Sequence, residues 1–229
     1  DLVTIEKPVN VDFEIANVAN ALAEKPVMFN HVEGHEGWRV CANPCATRDF
    51  FSMDLGVPVP ELMHHLAGAL ENPQAPPVVT SAPCQEVVVE QVDLNVLPIL
   101  LHLPEDAGHY IASNVVITKD PDLGRNMCYH RLLRLDEKRF AARIVERRGT
   151  HTAMQKVEGD LPVAICIGVS QAVHLAASMS PPPHVDEVAV AHALAPTPTV
   201  KCITNDLYVP AAAEIVLEGR ITRGKASEG

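Results

Sequence analysis

Ile111-Ala112-Ser113-Asn114-Val115-Val116-Ile117-Thr118-Lys119-Asp120-Pro121 sets the character of this chain. A short run rich in β-branched residues stops at an Asp-Pro pair, which is strand patterning. The same texture recurs downstream. Strand-like runs at 113–118, 130–135, 140–145, 161–167, 199–204 and 214–221 are separated by Asp-Pro, Gly, Asp-Glu-Lys and Pro-rich breaks. Helical patterning interrupts them at 150–157 and 170–179. Many short strands with few helices predict a barrel.

Upstream the texture differs. Residues 8–25 read as a helix, with Asp12 as its cap and Phe13, Ala16, Ala19 and Leu22 near helical spacing. Pro26 ends it, Val27-Met28-Phe29 is a short strand, and 34–37 read as a turn before Trp38-Arg39-Val40. Leu62, His65, Leu66 and Leu70 place a helix over 61–70. The Pro-rich stretch 71–77 is a linker, because proline blocks helix interiors and central strands alike. The boundary lies there or shortly after, near Leu97. The expected fold is α+β, with a small N-terminal α/β region over 1–96 and a β-rich domain over 97–229.

At 229 residues, 47% hydrophobic and 21% charged, the chain is globular and can bury a sizeable core. Its formal net charge of −11 excludes nucleic acid as a partner and reads as solubility. There is no run of eighteen apolar residues to span a membrane, and Asp1-Leu2-Val3-Thr4-Ile5-Glu6 carries no signal-peptide pattern. Six widely spaced cysteines read as reduced thiols, so a cytoplasmic location is expected. Cys41-Ala-Asn-Pro-Cys45 has no second pair and is no zinc framework. The glycines near Gly124 form neither GxGxxG nor a P-loop, which removes Rossmann and NTPase readings.

The chemistry concentrates in Gly124-Arg125-Asn126-Met127-Cys128-Tyr129-His130-Arg131, with Thr150-His151-Thr152 and Val185-Asp186-Glu187. Asn126, His151 and Glu187 offer an amide oxygen, an imidazole nitrogen and a carboxylate, a set suited to Mg²⁺ or Mn²⁺. Arg131 suits a carboxylate or a phosphate. Spacing alone leaves unrelated surface residues as the default reading. If 129–131 is strand, Tyr129 and Arg131 share one face and His130 takes the other, as a structural residue.

These elements, in their order, resemble the UbiD-type decarboxylases, which use prenylated FMN. The resemblance covers nearly the whole chain and is densest from Leu97. Leu97-Pro98-Ile99 with Asp106-Ala107-Gly108-His109-Tyr110-Ile111, then Val116-Ile117-Thr118-Lys119-Asp120-Pro121, then Asn126 and Arg131, are similar to successive family elements. So are Leu161-Pro162-Val163-Ala164 with Ile167-Gly168, Val185-Asp186-Glu187, and Val200-Lys201-Cys202-Ile203-Thr204-Asn205-Asp206-Leu207-Tyr208-Val209-Pro210-Ala211 running on to Gly219. The resemblance sharpens the barrel to a split β-barrel that binds flavin.

It also implies the site. Asn126, His151 and Glu187 would hold Mn²⁺ or Mg²⁺ against the phosphate of prenylated FMN, with K⁺ as a further cation. Arg131 would engage the substrate carboxylate as the catalytic residue of this chain. Met127, Tyr129 and His130 fall in the cofactor element, and Ser178 and Met179 would line the cofactor. The implied substrate is an aromatic, heteroaromatic or α,β-unsaturated carboxylic acid, with CO₂ as co-product. A flavin prenyltransferase is the implied cofactor supplier and a homo-oligomer the implied assembly. The family's proton-donating acid is expected downstream, in an Arg-x-x-Asp-Glu element of a C-terminal domain that follows Ser227-Glu228-Gly229. The alternative is a non-catalytic cofactor-binding subunit or fragment that needs a separate C-terminal polypeptide.

Overall fold

The structure is a computed structural model and describes residues 1–227. Residues 228–229, the end of the expected second domain, lie outside the described residues. The N-terminal part runs β1 (Val3–Ile5), α1 (Glu14–Ala21), β2 (Val27–Phe29), β3 (Val40–Ala42), α2 (Arg48–Leu55) and α3 (Leu62–Glu71). β2 is central, parallel to β1 and antiparallel to β3. Val9, Ile15, Val27, Phe29 and Val32 form a small core of their own beneath this sheet.

α1 is shorter than the span 8–25 expected from spacing. Val9 and Asp12 are drawn into bridges with Val32 and Leu101, which keeps that backbone extended. Phe13, at φ 66°, then turns the chain into the helix. Asp12 is therefore not the cap; Glu14 instead accepts the Asn10 backbone N–H at 2.9 Å. After the turn over 34–37 the strand β3 begins at Val40.

β4 (Val78–Val79) follows the Pro-rich linker, and then come β5 (Tyr110–Ile111), β6 (Asn114–Asp120), β7 (Gly124–Cys128), β8 (Leu132–Arg134), β9 (Phe140–Ala142), α4 (Gly149–Lys156), β10 (Leu161–Ile167), α5 (Gln171–Ser178), α6 (Glu187–Leu194), β11 (Thr199–Lys201), β12 (Tyr208–Pro210) and β13 (Ile215–Ile221). The architecture is α+β. The main sheet has the order β13-β10-β6-β7, antiparallel throughout. Three-stranded sheets β12-β11-β4 and β5-β8-β9 accompany it, and all these strand orders are open.

Period-two alternation in β6 and β10 sorts side chains into two cores. Val115, Ile117, Ala164 and Cys166 face a core built with α5, α6, Val200 and Val209, which α3 joins through Ala69. Val116, Val163 and Ile165 face the other, shared with Ile111 of β5, Leu132 of β8 and the loop residues Leu94, Leu97 and Ile99. Each buried Val, Leu or Ile side chain stabilises by about 1.5–3 kcal/mol.

The strand expected over 130–135 is realised only as Leu132–Arg134. Buried Asn114 explains this: its Nδ2 donates to Ile111 O at 2.9 Å and to His130 O at 2.8 Å. That pins 129–131 as a connection between β7 and β8, so strand alternation does not set the directions of Tyr129 and Arg131. Among the described residues no helix is long and apolar enough to cross a membrane.

Candidate functional site

β7 is the spine of the site. Arg125 and Met127 project to one side of it, Asn126 and Cys128 to the other. The Met127 side chain lies in the main core, so its contribution to the site is its backbone. That N–H donates to the Glu187 carboxylate at 3.0 Å. Glu187 is the first residue of α6, which Asp186 caps by accepting the Val188 N–H at 2.9 Å. Arg125 forks onto the same Asp186, Nε to Oδ1 at 3.0 Å and Nη2 to Oδ2 at 2.5 Å. Strand and helix are thus fastened at two adjacent residues.

On the other side Asn126 meets the start of α4. A Cβ on Gly149 would overlap the Asn126 amide, so only glycine permits this approach. Asn126 Nδ2 donates to Cys128 Sγ at 3.6 Å. Directly across the ladder, Thr118 Oγ1 is buried without a hydrogen-bond partner. The N-termini of two helices, α4 and α6, therefore converge on Asn126–Met127, where backbone N–H groups and helix dipoles favour negative charge.

Burial, the largest influence, pushes the Glu187 carboxyl up. Its own backbone N–H and that of Met127 oppose the shift, Asp186 adds to it, Arg125 opposes it, and the result is about 7. A desolvated carboxylate of this kind is stabilised by a cation. The Asn126 oxygen and the orphaned hydroxyl of Thr118, its partner across the ladder, are further oxygen donors of the type a hard divalent ion takes. Among the described residues no three His, Cys, Asp or Glu side chains gather as a metal-binding group. The donor set here includes an Asn.

His151 stands in the first turn of α4, where its Nδ1 accepts the Arg147 N–H at 3.3 Å. Ligation through Nε2 requires the proton on Nδ1, so this contact must open first. The structure thus joins Asn126 and Glu187 through β7, while the His151 ring engages the start of its own helix.

His130 bonds to Thr150 Oγ1 at 3.0 Å through Nε2 and to Arg143 O at 3.1 Å through Nδ1. Cys128 Sγ lies 3.5 Å from both His130 Nε2 and Thr150 Oγ1. Burial pushes the thiol up and the imidazole down. The pair is neutral, which suits packing and not nucleophilic attack.

A cavity of about 470 Å³ opens beside this network, lined by Tyr129, His174, Ser113, Ser178 and the loop Asn43–Ala46. Tyr129 Oη lies 2.8 Å from His174 Nδ1 and donates to His174 O at 2.9 Å, and the two rings stack with centroids 6.0 Å apart. Burial, with a smaller contribution from Cys45, pushes the Tyr129 phenol up to about 12. Ser178 Oγ donates to Leu175 O at 2.7 Å. Met179 packs against the main core, and Arg131 is exposed on the 129–131 connection.

Gly149 and His174 were not singled out by sequence reasoning, and Arg125, Thr150 and Asp186 were read only as parts of motifs. Asp186-Glu187 ahead of an apolar run was a legible helix start. The others had no local signal.

Comparison with known proteins gives consistent matches. Residues 77–229 match the 3-octaprenyl-4-hydroxybenzoate carboxy-lyase Rift-related domain of UbiD, and residues 1–70 match the corresponding N-terminal domain. An anhydromevalonate phosphate decarboxylase from Methanothermobacter thermautotrophicus is 34% identical over 230 residues, covering 98% of this chain and 53% of the relative. An evolved dimeric form of the UbiD-class enzyme HmfF from Pelotomaculum thermopropionicum, solved in complex with prFMN, superposes with a TM-score of 0.95 at 36% identity, over 100% of this chain and 56% of that one. The apo 3,4-dihydroxybenzoic acid decarboxylase from Enterobacter cloacae gives 0.90 at 28% identity, over 98% and 52%. The chain spans about half the length of these relatives.

Proposed function

The chain belongs to the UbiD family of carboxy-lyases, and from that premise we propose that it is the cofactor-holding part of a prenylated-FMN-dependent decarboxylase. Its substrate is an aromatic, heteroaromatic or α,β-unsaturated acid. When bound, the modified flavin supplies the electron sink that lets CO₂ leave an sp² carbon, a loss that otherwise leaves an unstabilised carbanion.

The chain's own residues bind and orient. Asn126 and Glu187 offer oxygen donors to Mn²⁺ or Mg²⁺, and His151 adds Nε2 once Nδ1 carries its proton. An ion held there would supply positive charge to a cofactor phosphate, and the N-termini of α4 and α6 favour the same negative charge. Tyr129 and Ser178 form the wall of the neighbouring cavity, and Met179 supports it from the core. Arg131 reaches the substrate carboxylate and fixes its orientation. The β13-β10-β6-β7 and β5-β8-β9 sheets, packed across their shared core, are read as the two halves of a split barrel. The cofactor domain, which sequence texture starts at residue 97, draws α3 and β4 into its packing.

One observation carries the reading: a buried carboxylate with its pKa raised to about 7 is hydrogen-bonded to the backbone N–H of Met127, the residue that follows Asn126. The test is turnover by the complete natural polypeptide, co-expressed with a flavin prenyltransferase and offered a panel of such acids. CO₂ release from at least one acid is expected. Arg131→Ala should keep the cofactor and lose turnover by 100-fold or more, on the order of a lost positioning contact. Unchanged kcat/KM in that variant removes Arg131 from the mechanism.

A further inference from the structure

We propose that Arg125 is a positioning residue for the metal-binding end of the site: by gripping Asp186 it fixes the first turn of α6 on β7 and so aims Glu187 beside Asn126. This rests on the metal-ligand reading above and adds a residue to which that reading gives no role.

The geometry is a short closed circuit. Arg125 and Met127 lie two residues apart on β7 and face the same way. Asp186 and Glu187 are consecutive at the start of α6. The Arg125 guanidinium holds Asp186 through two nitrogens, at 3.0 and 2.5 Å, and the Met127 N–H holds Glu187 at 3.0 Å. The fork is largely shielded: the Arg125 side chain is only 17% exposed and that of Asp186 32%.

A two-nitrogen fork fixes direction as well as distance, which a lysine at this position could not do. Asp186 is simultaneously the helix cap, accepting the Val188 N–H. The fork therefore sets the angle at which α6 begins. Arg125 Nη1 also reaches Tyr208 O at 3.4 Å and ties the same point to β12. Without the fork, Glu187 keeps its hydrogen bond from the Met127 N–H but gains rotational freedom about the start of its helix.

Asp186→Asn is the cleanest test, because Asn caps a helix as well as Asp while the charged fork is lost. Arg125→Met is the companion variant. Mn²⁺ affinity, with FMN present, is read from the spin-resonance signal of free Mn²⁺. Losing an orienting partner behind a metal ligand weakens affinity by about 10-fold or more. Both variants should show that loss, and the double variant should lose no more than either alone. Ile15→Val, in the separate N-terminal core, should lower the unfolding temperature without changing Mn²⁺ affinity, which separates positioning from general destabilisation.

Wild-type Mn²⁺ affinity in folded Asp186→Asn overturns this inference and leaves the ligand reading intact, provided Glu187→Gln abolishes binding. Absence of Mn²⁺ binding by the wild type overturns both.

Discussion

At Gly149 one missing methyl group decides where the Asn126 amide can stand. Gly149→Ala adds a better helix former, by up to about 1 kcal/mol in a helix interior, so the fold should hold or tighten. The new Cβ must nevertheless displace the amide oxygen. Mn²⁺ affinity measured by titration calorimetry should fall by about 10-fold, as for other disturbed ligand shells. Wild-type affinity in Gly149→Ala would show that the Asn126 oxygen is not a ligand. The donor types were legible in the sequence because Asn126 and Glu187 carry their chemistry in their side chains. The docking of Glu187 on β7 was not, because it runs through the Met127 backbone N–H, a donor that every residue except proline possesses. The ring direction of His151 was equally hidden, since it depends on where α4 begins.

Among the elements, β10 was found with the bounds its sequence implied, 161–167, because a central strand buried on both faces reads as an unbroken apolar run. α6 was missed for the same reason turned round. Its Val- and Ala-rich run is buried nearly all round and carries little helical periodicity, so the Asp186 cap and its packing against α5 decide its form. β7 lacks a strand-like composition and owes its form to its ladder with β6. The hairpin between those two strands is secured to α4 by Lys156, whose Nζ lies 2.8 Å from Asp120 Oδ1. Burial opposes ionisation of Asp120, but the Lys156 ammonium and the N–H groups of Asp122 and Leu123 outweigh it and hold the carboxyl below its ordinary 3.8. A depressed carboxyl pKa contributes stability above the ordinary value and loses it as pH falls through the depressed one. Asp120→Asn should therefore lower Tm by about 2–4 °C at pH 7, and the gap should close as pH falls below 3.8. A gap unchanged from pH 7 into that acid range contradicts the assignment.

Across the whole molecule, the main sheet divides the labour between its faces. One buries α5 and α6 and so delivers Glu187 to β7; the other packs on β5-β8-β9 and sets the connection that bears Tyr129 and Arg131. The N-terminal part reaches the same region: Gln171 of α5 donates to Pro44 O at 2.9 Å, which holds the 43–46 loop as a wall of the cavity. The α+β class was readable from texture, whereas this long-range closure was not, because residues 44 and 171 share no pattern. In the proposed function one ion, held by Asn126 and Glu187, would keep the cofactor in place. The most direct measurement is the metal and flavin content of the complete protein co-expressed with a flavin prenyltransferase, wild type against Glu187→Gln. Gln can still accept the Met127 N–H, so the fold is retained while the ligand charge is lost. The account predicts metal and prenylated FMN in equal amounts in the wild type and the joint loss of both in the variant. Wild-type protein that carries neither, or a variant that keeps both, would contradict it.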